Sequence, residues 1–262
     1  MITPEEEKLI ASATQAFFQS LFEPISNFVE TISGPFAAEI GAVFGDKAKV
    51  YRLKNAVKCM KKAKEILEEV GINPGQVKPR ILLPLIENAS LDEDEGLQEK
   101  WAALLANAAN PKHNPPVRAD YSDILRQLTP NDVKFVGSIY DRCIDPKFDE
   151  DPSHPIITAP LGNTQDLLKI YREVVDPSPL TNWQKMNEDN LTIGSVLTST
   201  FMVSLKTFER LGLLIVEIPY EDVSPARLRP FFHQQFSRQY MLSALGFQFL
   251  KACRRPKEVP SR

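Results

Sequence analysis

Histidine and cysteine are the side chains best suited to metal or nucleophilic chemistry, and the chain carries three of each. His113, His154 and His233 are widely separated, and no H-E-x-x-H or C-x-x-C spacing occurs, so no short ligand set for a metal is written in the sequence. Cys59, Cys143 and Cys253 each sit among apolar neighbours in a predicted helix, which suits a small buried hydrophobe better than a nucleophile. The glycines form neither G-x-G-x-x-G nor a phosphate loop ending in G-K-[ST], and there is no G-x-S-x-G elbow. His113 and Asp120 can approach one another in one loop region, and hydrogen bonding at helix ends explains them as well. The reading is therefore of a protein that is not an enzyme, with no cofactor, no metal and no small-molecule substrate indicated.

What remains is chemistry of contact. Lys47, Lys54, Lys58, Lys61 and Lys62 fall on one side of a helix predicted from Asp46 to Val70, opposite Leu53, Ala56, Val57, Met60, Ala63, Leu67 and Val70. Such a stripe can follow phosphates or an acidic partner, and it is also the ordinary wet face of a core helix; the absence of interleaved aromatics favours the wet face. A second basic group, Lys206 and Arg210 on a helix from Leu197 to Leu211 with Arg227 and Arg229 after it, is the nucleic-acid alternative. In that reading Ser199, Thr200, Ser204 and Thr207 also point outward. Apolar contact is the third kind. Phe17, Phe18, Leu21 and Phe28 in the N-terminal helices, and Trp101 in the central one, are the candidates for an interface with a protein partner or a second copy. The same phenylalanine density admits a membrane surface, but the charges beside it are Glu23, Glu30 and Glu39 rather than lysine and arginine.

These residues need elements to hold them. The most constrained stretch is Pro79 to Asp132. Leu97, Trp101, Leu104, Leu105 and Ala108 share one helical face, Ser90 and Glu93 have capping-box spacing, and Asn110-Pro111 ends the helix. Gly71 is expected to close the long lysine-bearing helix. Thr129-Pro130 marks another helix start, Asn163 or Thr164 a further one, and Gly212 a stop before a β-compatible run from Leu213 to Ile218. Residues 145–160 read as an acidic, Pro-rich loop, and Gln239 to Arg255 reads as one final helix. The expected fold is mainly α: an N-terminal helical region (1–78) and a central helical motif (79–127) packed on a winged-helix-like C-terminal half (128–262) with a small β-hairpin and an inserted region at 145–190.

With 262 residues the chain can bury a real core in one or two domains of ~150 residues. A net charge of −3 makes the whole molecule no electrostatic match for nucleic acid. Three well-separated cysteines suit a reducing compartment. No signal-peptide pattern and no run of ~18 apolar residues is present, so the expected location is cytoplasmic, with peripheral contact to the inner membrane left open.

The run LLPLIENASLDEDEGLQEKWAALLANAANP followed by YSDILRQLTPNDVKFV resembles the Abi-alpha (abortive infection alpha) domain family of bacteria. GPFAAEIGAVFGDKAKVYRLKNAVKCMKKA, LKTFERLGLLIVE and MLSALGFQFLKAC resemble its flanking elements, so the likeness extends from Gly34 to Cys253. It implies a role in phage defence, in which an infected cell is disabled before the phage matures. It carries no catalytic residue, and nothing is transferred to residues 145–190. Three functional readings stand at this point: a defence component acting through protein contacts, a winged-helix nucleic-acid-binding regulator, and a membrane-surface effector.

Overall fold

A computed structural model describes residues 20, 23–36, 48–143, 160–175, 196–217 and 238–256. Helices hold 70% of these, so helix packing rather than sheet builds the cores, with one small antiparallel sheet of three strands. The chain divides into two compact units, Met1–Gln127 with Ala252–Arg262, and Leu128–Lys251.

The first unit contains α1 (Ser26–Ser33), α2 (Ala48–Glu69), α3 (Pro79–Ala89), α4 (Glu95–Ala109) and α5 (Asp120–Leu125). Helix α2 buries Leu53, Ala56, Val57, Met60, Ala63 and Leu67 as its periodicity predicts, with Ile66 added, and lays this face chiefly on α4; Val70, just past its end, is only half-buried. Gly71 closes α2 at φ +65°, with its N–H donating to Glu68 O at 3.1 Å and Ile72 N–H to Leu67 O at 2.9 Å. That paired pattern is a Schellman motif, which glycine adopts without steric cost. Helix α4 is more deeply sunk than one apolar stripe requires. Every residue from Trp101 to Asn107 is buried, and the small Ala102, Ala103 and Ala106 let neighbours approach the sides the larger residues do not fill. The chain between α2 and α3 is tied down by Gly75 N–H to Ala109 O at 2.7 Å and Val77 N–H to Ile32 O at 2.8 Å.

The capping of α4 differs from expectation. Asp94, not Ser90, is the N-cap, its Oδ1 accepting from Leu97 N–H at 3.0 Å. Ser90 instead ends α3, and its hydroxyl donates to Glu87 O at 2.6 Å. Asp94 and Ser90 can both cap, and the start of the buried run at Leu97 selects the one three residues upstream.

The second unit contains α6 (Pro130–Cys143), β1 (Pro160–Asn163), α7 (Thr164–Val175), α8 (Val196–Arg210), β2 (Leu214–Glu217), β3 (Gln239–Leu242) and most of α9 (Ala244–Ala252). Phe135 of α6 is the hub of its core, with ring centroids 5.0 Å from Tyr171, 5.8 Å from Phe201 and 5.6 Å from Phe208. The expected Thr129-Pro130 start is present as a reciprocal cap. Asp132 Oδ2 accepts from Thr129 N–H at 2.8 Å and Thr129 Oγ1 accepts from Asp132 N–H at 3.2 Å. Asn163 caps α7, its Oδ1 accepting from Gln165 N–H at 2.8 Å.

The sheet order is β1-β3-β2, with Leu214 opposite Leu242 and Val216 opposite Tyr240. Two sequence readings are corrected by it. Pro160–Asn163 is a strand, and the sheet has three strands rather than the two of a hairpin. Gln239–Leu242 is the central strand rather than the first turn of the last helix, which begins only after Ser243. Ser243 Oγ donates to Gly212 O and accepts from Gly246 N–H, so the junction is closed by one hydroxyl. A side chain at position 246 would meet Leu213 O at 2.3 Å, so glycine is what lets α9 lie on that carbonyl.

Candidate functional site

The strongest candidate is the corner of the first unit where the turn between α3 and α4 runs alongside α2. It starts from a half-buried carboxylate. Asp92 accepts a hydrogen bond from the Trp101 indole Nε1, and its backbone carbonyl accepts from Gln98 Nε2 at 2.7 Å. The same Gln98 nitrogen donates to Ala89 O at 2.8 Å, so one buried amide stitches the end of α3 to the turn. Burial pushes the Asp92 carboxyl above its ordinary range, against the opposing pull of the indole N–H.

The turn is then bound to α2 at two places. Near the start, Arg52 Nε donates to Ser90 Oγ at 3.1 Å and Asn55 Nδ2 to Ser90 O at 3.2 Å, while Arg52 lies 3.9 Å from Glu87. About one turn and a half of helix later, Glu95 receives both Lys58 and Lys62, the latter at 2.8 Å. The two lysine hydrogen bonds hold the Glu95 carboxyl down to about 2. One acid at the start of α4 therefore answers two lysines on successive turns of α2.

This placement settles what the lysine stripe is made of. Lys58 and Lys62 are answered by Glu95. Lys54 and Lys61 are exposed, and among the described residues neither takes a partner. Glu93 and Glu99 are likewise exposed and take no partner among the described residues. Two further residues belong to the corner and were missed in the sequence. Tyr51, 46% exposed, lies three residues before Lys54 on the same ridge, and Leu91, 57% exposed, follows the Ser90 that α2 holds. The 3-4-3 spacing of 51, 54, 58 and 61 was the available signal for Tyr51.

The other expected site residues fall elsewhere. Trp101 and Phe28 are buried inside the unit rather than offered to a partner. Phe17, Phe18, Leu21, Arg227 and Arg229 lie outside the described residues. In the second unit, Lys206 pairs with Glu209 one turn on, and Arg210 shares an open groove of about 360 Å³ with Met202, Val203, Lys206 and Thr207. Ser204, expected outward, is buried and faces Tyr171. Asp120 is held by Arg118 through contacts of 3.0 and 2.7 Å rather than by His113.

Among the described residues, no three histidines, cysteines or carboxylates converge on a metal position. Burial raises the thiols of Cys59 and Cys253 to about 12, leaving both in the unreactive thiol form at neutral pH. No helix among the described residues is long and apolar enough to cross a membrane.

A model of the family described as abortive infection alpha matches residues 54–253, a span that includes most of α2 and all of α3 through α9 up to Cys253. No curated protein and no solved structure matches the chain. The chain belongs to the abortive infection alpha family.

Proposed function

We propose that this member of the abortive infection alpha family serves bacterial anti-phage defence, disabling an infected cell before the phage matures, and that it works by binding a protein rather than by transforming a substrate. The observation that carries the reading is the family match across residues 54–253, which contains Lys58, Lys62 and Glu95 of the α2 corner. What supports binding over chemistry is how the polar groups there are used. Asp92, Trp101, Gln98 and Ser90 are consumed in holding the turn in place, and the groups left over are long, charged and exposed. Groups of that kind select a partner by charge and speed its approach.

The test is infection of a host that expresses the full chain beside one that does not. Fewer plaques, with infected cells dying before they release phage, is the expected outcome. Equal plaque numbers and equal burst in both hosts, across phages of unrelated types, would overturn the defence reading.

A further inference from the structure

We infer that the part of the first unit around Asn107 is a site for peptide backbone, closed in cis by the end of this chain, and that release of that end opens it to an extended segment of a partner protein. The inference deepens the binding reading above and rests on it for the use of the site. The chain runs through the second unit to Lys251, and its last residues, from Ala252, belong to the first. Ala252 and Cys253 are buried there, and the Asn107 Nδ2 donates to Ala252 O at 2.8 Å and to Arg254 O at 2.7 Å. Cys253 is within electrostatic reach of Tyr121 on α5 and Lys100 on α4. Beyond it Arg255 meets Glu69 of α2 at 2.9 Å, an exposed pair of small weight. Ties confined to a few residues at the end of a chain open well below the free energy of global unfolding.

The occupant uses only half of the Asn107 amide. The two carbonyls fix the orientation of that amide, because its own oxygen could not face them. Asn107 is 2% exposed, and its Oδ1 is buried with no hydrogen-bond partner among the described residues. A buried acceptor left unmet costs free energy. The cause is the shape of what sits there: Ala252 ends α9, and a helix end presents carbonyls rather than N–H groups. An extended segment presents the C=O and the N–H of one residue on the same side, so it meets Nδ2 and Oδ1 together. The site is thus better matched to an extended backbone than to the helix end that closes it. Main-chain bonds of this kind give affinity, and the neighbouring side chains give preference. Here the preference is for small residues where Ala252 and Cys253 are buried, followed two places on by a cation facing Glu69.

Two cysteines report the opening. Cys253 lies in the closing segment and Cys59 in the core face of α2, and both are buried, so each reacts only from a state that exposes it. The test is alkylation of the natural full chain by iodoacetamide, followed by mass spectrometry, with and without an excess of a peptide copying Leu250 to Pro256 with Cys253→Ala. A peptide so short forms no stable helix and is free to enter extended. The expected result is that Cys253 reacts roughly tenfold or more faster than Cys59. The peptide, by holding the opened site, should raise the Cys253 rate severalfold and leave Cys59 unchanged. In the full chain carrying Asn107→Leu, Cys253 should react faster without peptide, and the peptide should add nothing. Equal rates for the two thiols of the natural chain overturn the inference, because the end then leaves only when the unit unfolds. A peptide without effect on the natural chain overturns it as well, and so does an effect that persists in Asn107→Leu. No phage enters this measurement, so its failure leaves the defence reading standing. A peptide effect in a chain that gives its host no protection counts against the defence reading alone.

Discussion

Lysines 58 and 62 on α2 and lysine 206 on α8 look alike in the sequence, each a cation on the outer side of an amphipathic helix, yet the two units use them differently. Lys206 is answered within its own helix by Glu209, three residues away. Lys58 and Lys62 are answered by Glu95, which arrives from another helix 37 and 33 positions along the chain. A local pair exists wherever its helix exists and says nothing about shape. A distant pair fixes two elements against each other and gives the surface around it a defined geometry. The cores differ in the same sense. The second unit is centred on three aromatic rings packed around a fourth, Phe135, whereas the corner of the first unit is organised by hydrogen bonds of Asp92, Gln98 and Ser90, with the buried Trp101 as one of the donors.

That contrast breaks most sharply at Phe135. Phe135→Ala removes the ring that touches Tyr171, Phe201 and Phe208, and is expected to lower stability by about 3–5 kcal/mol in urea unfolding of the full chain. A loss below ~1 kcal/mol would mean that the cluster is not what holds that unit. Trp101→Phe keeps the buried ring but removes the N–H that Asp92 accepts, leaving a half-buried carboxylate without its donor. The expected cost is ~1–3 kcal/mol. Because that carboxyl already sits above its ordinary range, adding Asp92→Asn to Trp101→Phe should recover part of the loss. An additive double variant would show that the indole and the carboxylate are not coupled.

The smallest effect belongs to Glu95. Its carboxyl is held down to about 2 from an ordinary 4.5, so its contribution is present above 4.5 and disappears as pH falls toward 2. Glu95→Gln should flatten that part of the pH dependence of the urea midpoint and lower the neutral-pH midpoint by the same amount, a small one because the pair is exposed. A variant whose acid limb stays as steep as that of the natural chain would show that the two lysines do not hold the carboxylate.

Much of this fold is legible in the sequence because it depends on local rules. The stops at Gly71 and Gly212 and the start at Thr129-Pro130 follow from a glycine that tolerates positive φ and from side chains within capping reach. The apolar face of α2 follows from helical spacing alone. What was not legible depends on distance. A strand of four residues such as Pro160–Asn163 or Gln239–Leu242 spans only two periods of alternation, and Tyr240-Met241-Leu242 is as apolar as the helix it precedes. Its strand identity comes from partners at Leu214 to Glu217 and at Pro160 to Asn163. The same holds for the site. Periodicity put Trp101 and Phe28 on apolar faces, but only the fold shows that their own unit covers them. It also put five lysines on one stripe, of which Lys47 lies outside the described residues, and the acid that divides the other four into two answered and two unanswered was invisible until α4 lay beside α2.

Asn107 has a consequence in time. Its buried side-chain amide donates to the carbonyls of Ala252 and Arg254, at 2.8 and 2.7 Å, across 145 and 147 positions of sequence. At a synthesis rate of ~5–20 residues per second, the ribosome needs on the order of ten seconds after making Asn107 to deliver those carbonyls. For that interval the two hydrogen bonds cannot form, so the first unit reaches its finished set of contacts only after all of the intervening chain has been translated.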